Sequence, residues 1–178
     1  MIMIDLDTLD KACPKEQHLK RLAKDLTNID LDFVYKSDFK NAKELRDFVE
    51  AISDSIWMPE KWKKRFILVT DEMNNNAIEY WSRWEDQNRI SIKMIKEKKV
   101  LQIEVEVEDS WKWKSPKNAE EMYKIKEEKM KKGFWQETWI RWRWLFLIIE
   151  NTVDKLYFQD SKKWWLIVWV QKNIDLSD

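Results

Sequence analysis

Residues 89–109, RISIKMIKEKKVLQIEVEVED, decide the fold of this chain. Apolar residues alternate with polar ones in both halves of the stretch, and KEKK at 96–99 separates the halves. Because successive side chains of a β-strand point to opposite faces, this period indicates two half-buried strands joined by a turn. One face of the second strand carries its apolar residues, Leu101, Ile103, Val105 and Val107. The stretch therefore predicts a β-hairpin with one face toward a core.

Further strands and helices are indicated on both sides of this hairpin. IDLDFVYKS at 29–37 has the strand period, and VDKLYFQD (153–160) and WWLIVWVQK (164–172) predict a closing pair of strands. Helical spacing of apolar residues predicts four helices: 14–28, the segment from an N-cap at Asp38 to Ile52, Pro59 to Tyr80, and WLFLIIENTV at 144–153. The charged run NAEEMYKIKEEKMKK predicts a solvated helix within a mobile loop at 110–140.

This order of elements predicts an α+β fold. We expect a two-layer α/β sandwich with a mixed, mostly antiparallel sheet and helices on one face. A length of 178 residues suits one domain, and the sequence contains no internal repeat and no linker. We assign residues 31–178 to this domain and residues 1–30 to an N-terminal helical extension.

The composition excludes several classes of protein. Lys plus Arg and Asp plus Glu both number 33, so the net charge is zero, which argues against a nucleic-acid partner. A single cysteine, Cys13, and a single histidine, His18, exclude an intramolecular disulfide and a Cys/His zinc site. No signal peptide and no apolar run of about 18 residues is present, so we expect no membrane association and a cytoplasmic location.

Three segments carry candidate chemistry. In LVTDEMNNNAIEY (68–80), Glu72 and Asn76 lie one helical turn apart, where a carboxylate could take a proton and an amide oxygen could hold Mg²⁺. Asp109 follows the second strand of the hairpin. Arg141 and Arg143 flank the N-terminal end of the last helix, where guanidinium groups and backbone N–H groups could hold phosphate. The alternatives are a solvated helix face, a turn-forming aspartate, and surface arginines stacked on indole.

Together these segments resemble the nucleotide-binding boxes of the GHKL (histidine-kinase-like) ATPase superfamily, and within it the anti-sigma factor serine/threonine kinases. LVTDEMNNNAIEY is similar to the N box of that family. VEDSWKWKSP resembles the first glycine box, with Trp111 and Trp113 in the glycine places. WRWLFLIIENTVD resembles the second, with Trp142 and Trp144 in the glycine places and Leu145 retained. The resemblance implies the Bergerat-type ATP-binding fold.

The resemblance also implies roles for the residues of the boxes. Glu72 would be the general base, Asn76 the Mg²⁺ ligand, and Asp109 the acceptor that recognises the adenine amino group. The residues that would line the nucleotide site are Trp111, Trp113, Arg141, Trp142, Arg143, Trp144 and Leu145. The implied cofactors are ATP and Mg²⁺. The implied partners are a sigma factor, a small anti-anti-sigma protein that is phosphorylated, and a second copy of the chain.

The departure from the family is systematic, because the chain has 13 tryptophans and one glycine. Twelve tryptophans, all except Trp62, stand in contexts that we assign to turns, helix caps and phosphate loops, where glycine is favoured. We interpret them as replacements of glycine in a parent sequence. Genuine core or interface aromatics are the alternative interpretation. Indoles near the phosphates predict weak or absent ATP binding.

Two other functions fit the same sequence. A non-catalytic module on the same fold could bind a partner, with ATP binding lost through the replacement of glycine by tryptophan. An aromatic-rich binder of single-stranded nucleic acid could stack bases on indoles, although the zero net charge argues against it.

Overall fold

A computed structural model describes residues 1–10, 12–22, 27–81, 87–108, 118–132, 151–162 and 166–177. These ranges contain six strands: β1 (Ile2–Asp5), β2 (Asn28–Lys36), β3 (Gln87–Glu97), β4 (Val100–Glu108), β5 (Lys155–Asp160) and β6 (Leu166–Asp175). They also contain four α-helices: α1 (Lys15–Leu22), α2 (Phe39–Ser55), α3 (Glu60–Asn76) and α4 (Ala119–Lys132). A π-helical turn, Ala77–Trp81, continues α3. Of the helix predicted over 144–153, residues 144–150 lie outside the described ranges.

The strands form one six-stranded sheet in the order β1-β2-β3-β4-β6-β5. β1 runs parallel to β2, and the other four pairings are antiparallel. The predicted α+β class with a mixed, mostly antiparallel sheet is therefore confirmed. The predicted hairpin is β3–β4, but its turn is shorter than predicted because Glu97 pairs with Val100. Only Lys98 and Lys99 remain in the turn, and Lys98 takes a φ of 50°.

One face of the sheet forms the core with the helices. On β2 the alternate residues Ile29, Leu31, Phe33 and Tyr35 are buried, and the same period buries alternate apolar residues of β3, β4 and β6, such as Ile92, Val105 and Val168. The buried residues of α2 and α3 belong to the same apolar cluster, which includes Phe48, Ile52, Val69 and Met73. The sheet and these helices are therefore the two layers of the predicted sandwich.

Residues 1–30 contribute to the same core. β1 was not predicted; it lies at the edge of the sheet, where Leu6 N donates to Val34 O at 3.0 Å. Ile4, Leu6 and Leu19 are buried in the main apolar cluster. The segment therefore contains a strand as well as the predicted helix, while its separation from residues 31–178 as an extension stays a prediction.

α4 shows how a highly charged segment becomes a helix. Asn118 Oδ1 accepts from Glu121 N at 2.9 Å, and Glu121 Oε2 accepts from Asn118 N at 3.0 Å, which is a capping box. Met122 is fully buried, and the ring of Tyr123 contacts that of Phe158 with centroids 5.2 Å apart. The predicted helix is confirmed, and α4 packs against β5.

The end of α2 shows tryptophan in a conformation that favours glycine. Trp57 has a φ of 59°; its N–H donates to Asp54 O at 3.1 Å, and Met58 N donates to Ser53 O at 3.0 Å. These are the two bonds of a Schellman motif, whose left-handed position glycine usually occupies. Trp169 differs: it lies inside β6, opposite Glu106, so its assignment to a turn was wrong.

We expect Trp57→Gly to raise the free energy of unfolding by about 1 kcal/mol, because a β-carbon is disfavoured at positive φ. The indole is 86% exposed, so its removal loses little buried apolar surface. The measurement is urea denaturation. Trp57→Ala is the matched control, since it removes the indole but keeps the β-carbon. The interpretation is wrong if the glycine variant is no more stable than the alanine variant.

Candidate functional site

The predicted acid and amide lie together on the last turns of α3. Asn76 is buried, and its Nδ2 donates to the backbone carbonyl of Glu72 at 2.5 Å. That bond does not use the Asn76 oxygen Oδ1. Glu72 is half-buried. The helical spacing that the sequence predicted for this pair is therefore confirmed.

Two interactions hold this part of α3 in place. Tyr35 Oη donates a short hydrogen bond to Asn74 Oδ1 inside the core, which joins α3 to β2. On the outer side, Arg46 of α2 contacts Asp71 Oδ2 through Nη2 at 2.6 Å and through Nε at 2.7 Å. Burial raises the pKa of Asp71, although the guanidinium of Arg46 opposes the shift. The turn with Glu72 and Asn76 is thus fixed from both sides.

The sheet register relates this turn to the end of β4. Val34, Arg89 and Glu108 are aligned across β2, β3 and β4, and the next pair along β2 and β3 is Tyr35 with Asn88. Tyr35 is the residue that bonds Asn74 of α3. The last turns of α3 therefore lie at the end of the sheet where β4 finishes. Asp109 is the next residue of the sequence.

Asp109 and the remaining members of the predicted site lie outside the described residues: Trp111, Trp113, Arg141, Trp142, Arg143, Trp144 and Leu145. The described part of the predicted site is Glu72 and Asn76.

The donor set of this pair suits Mg²⁺. A carboxylate and an amide oxygen are hard ligands, and Mg²⁺ in proteins commonly keeps one or two such ligands beside phosphate and water oxygens. Within the described ranges, no group of three or more His, Cys, Asp or Glu residues could hold a metal ion by itself. A metal at Asn76 would thus depend on oxygens from a bound ligand.

An apolar groove lies toward the other end of α3. Phe66, Val69, Ile103 and Val105 are among the residues that line it. At its mouth Lys172 Nζ lies 4.8 Å and Arg65 Cζ 5.0 Å from the ring centre of Trp62. Such apolar walls suit packing and offer little for proton or phosphate chemistry.

The face of the sheet opposite the described helices carries a polar cluster that the sequence analysis did not predict. Asp32 is buried; its Oδ2 accepts from Arg89 Nη2 at 2.9 Å, and its Oδ1 accepts a short bond from Ser91. Arg89 Nη1 lies 3.5 Å from a carboxylate oxygen of Glu108 and 3.9 Å from one of Glu106. Burial raises the pKa of Glu106, and Arg89 opposes the shift. The hairpin register, Arg89 opposite Glu108, was the signal that could have revealed the cluster.

Comparison with known proteins does not assign the chain to a family. No protein-family model matches it, and no curated protein sequence matches it significantly. Among the described helices, none has the length and apolar composition needed to cross a membrane.

We expect Glu106→Gln to stabilise the protein at neutral pH. The gain should be less than about 1 kcal/mol, because the side chain is partly exposed and solvent screens its charge. The folded pKa of Glu106 is raised above the unfolded value near 4.3, so folding takes up a proton and stability falls as pH rises through this window. Glutamine cannot ionise. The difference in the free energy of unfolding between variant and parent should therefore be absent below about pH 4, increase as the pH rises, and then stay constant.

Urea denaturation between pH 3.5 and 8 measures this difference. Glu104→Gln is the matched control: Glu104 lies on the same face and accepts from Gln102 Nε2 at 2.8 Å, and glutamine keeps that acceptor. A stability difference between Glu106→Gln and the parent that does not change with pH would contradict the prediction.

Proposed function

We propose that the chain derives from an ATP-binding serine/threonine protein kinase of the GHKL superfamily that acts as an anti-sigma factor. One observation carries the proposal: Glu72 and Asn76 share one helical turn at the end of the sheet where β4 finishes, directly before Asp109. If the three segments that resemble nucleotide-binding boxes form one site, the helical turn with Glu72 and Asn76 must lie at the end of the sheet where β4 leads into Asp109. The two-layer α+β architecture is compatible with the Bergerat-type fold.

The chemistry of phosphoryl transfer fits this set of residues. The reaction needs mainly positioning and neutralisation of charge, with a base to accept the hydroxyl proton of the acceptor. In our proposal Glu72 is that base, Asn76 offers Oδ1 to Mg²⁺, and Asp109 accepts from the adenine amino group. Mg²⁺, when bound, would neutralise the phosphate oxygens. Arg141, Arg143 and the backbone near Leu145 would hold the phosphates.

The partners and the location belong to the same proposal. The acceptor would be a serine or threonine on a small anti-anti-sigma protein, and a separate surface would hold a sigma factor. The active form would be a homodimer in the cytoplasm. These assignments depend on the resemblance of the boxes and on nothing else.

A second candidate function is a non-catalytic module that binds a partner on the same fold. The conformation of Trp57 favours it, because a tryptophan at a φ of 59° supports the interpretation that tryptophan replaces glycine in this chain. Where a glycine box holds phosphate, the backbone must approach the ligand closely, and an indole would occupy that space. The fold could then persist without ATP binding.

We expect the chain as it stands to show no micromolar affinity for Mg·ATP in calorimetric titration. Combined replacement of Trp111, Trp113, Trp142 and Trp144 by glycine should tighten binding at least about tenfold, because it frees the backbone for phosphate. Trp57→Gly with Trp169→Gly is the control, since both positions lie outside the boxes. Failure of the four-fold variant to bind, when it is folded, would contradict the proposed nucleotide site.

In the glycine-restored chain, Glu72→Ala should reduce phosphate transfer from radiolabelled ATP to a serine-bearing anti-anti-sigma protein by about 10²-fold or more. Binding of Mg·ATP should change little, because the base acts on the acceptor hydroxyl. Glu60→Ala, at the exposed start of the same helix, is the matched control. Persistent transfer in the Glu72 variant would exclude this residue as the base, and binding without any transfer would favour the non-catalytic module.

A further inference from the structure

We propose that Asn41, Thr70 and Asn74 enclose an internal water-binding site between α2, α3 and β2. Their exposures are 0%, 1% and 0%. Within the described part of the chain, Asn41 Oδ1, Thr70 Oγ1 and Asn74 Nδ2 have no hydrogen-bond partner. A buried polar atom without a partner is costly, so these atoms point to a ligand that bonds them.

The packing of the helices brings Asn41 beside the last turns of α3, which carry Thr70 and Asn74. Thr70 and Asn74 are one turn apart on α3, and residues at this spacing are neighbours on a helix face. α2 and α3 run antiparallel, as two ion pairs show: Arg46 with Asp71, and Asp54 with Lys63 at 2.7 Å. The start of α2, which carries Asn41, therefore faces the last turns of α3.

Hydrogen bonds to β2 place Asn41 and Asn74 at the same end of the sheet. Asn41 Nδ2 donates to the backbone carbonyl of Lys36 at 3.1 Å and to Asp7 Oδ1 at 3.0 Å. Asn74 Oδ1 accepts from the hydroxyl of Tyr35, the preceding residue of the strand. One polar atom of each side-chain amide is therefore bonded to β2, and in Asn41 also to Asp7. The other polar atom of each amide is the one without a partner.

The three atoms select the chemistry of the ligand. Asn74 Nδ2 can only donate, Asn41 Oδ1 can only accept, and Thr70 Oγ1 can do either. A bare cation is excluded because an amide N–H group cannot be its ligand. Water accepts from one amide, donates to the other and bonds the hydroxyl, which gives the usual three hydrogen bonds of a buried water molecule.

This site would complete the attachment of α3 to the rest of the core. Thr70 and Asn74 flank Glu72 along the helix, and Asn76 follows within one turn. A shared water would couple these turns to α2 as well as to β2. The inference concerns the folded chain alone and does not depend on ATP binding.

The test combines detection of the water with removal of one partner. In the ¹⁵N-labelled protein we expect a nuclear Overhauser cross-peak between the side-chain amide of Asn74 and the water resonance. Thr70→Val, which is nearly isosteric, should raise the equilibrium constant of unfolding about three- to tenfold in urea. Ser53→Ala is the matched control: its buried hydroxyl donates to Val49 O of its own helix at 2.7 Å, and alanine's helix propensity should keep the change below about twofold.

The effect of Thr70→Val on stability has opposite signs for the two alternatives, which are a hydroxyl bonded to water and a hydroxyl without a partner. A hydroxyl that truly lacks a partner is better replaced by a methyl group, so Thr70→Val would then leave stability unchanged or increase it. Either that result or the absence of the Asn74 cross-peak overturns the water site. A cross-peak together with the expected loss of stability supports it.

Discussion

The hydrogen bond from Tyr35 to Asn74 fixes where the last turns of α3 lie, and the candidate site depends on that position. Tyr35 is fully buried, and burial raises the pKa of its phenol, so the hydroxyl stays protonated and acts as a donor. Without this bond, the ion pair of Arg46 with Asp71 would still join the turn to α2, but the polar contact with β2 would be lost, and apolar contacts have little directional preference. The polar pair therefore sets the orientation of Glu72 and Asn76 relative to the sheet.

The sheet separates two kinds of polar chemistry. On the helix-covered side, the buried amides of Asn41 and Asn74 bond β2 at Lys36 and Tyr35, and so join α2 and α3 to the end of that strand. On the other side, Asp32 is buried, and Arg89 and Ser91 satisfy its carboxylate. Removing one partner of such a buried pair leaves an uncompensated charge, which is costly. Asp32, Ser91 and Arg89 therefore form one hydrogen-bonded cluster on this face.

The sequence predicted those elements whose signals are local. Alternation in β2, β3 and β4 and the cap at Asp38, whose Oδ1 accepts from Lys40 N at 3.0 Å, were readable without the fold. β1 was missed because four residues, IMID, are too short to establish a period. The spacing of Glu72 and Asn76 predicted their turn. Asn74, in the same run of asparagines, could not be distinguished, because only the packing of α3 on the sheet shows which of these amides bonds Tyr35.

Trp57 shows that a fold can tolerate tryptophan at a position that favours glycine, although a binding site need not tolerate the same replacement. Its positive φ is a local cost of about 1–2 kcal/mol, against a typical total stability of about 5–15 kcal/mol, and its indole points into solvent. A phosphate loop has no comparable freedom, because there the ligand occupies the space into which a side chain would extend. One replacement of glycine by tryptophan at an exposed helix end can therefore leave the fold intact, while the same replacement in a glycine box removes the binding that the box provides. Loss of nucleotide binding with retention of the sandwich is the expected consequence of such replacements.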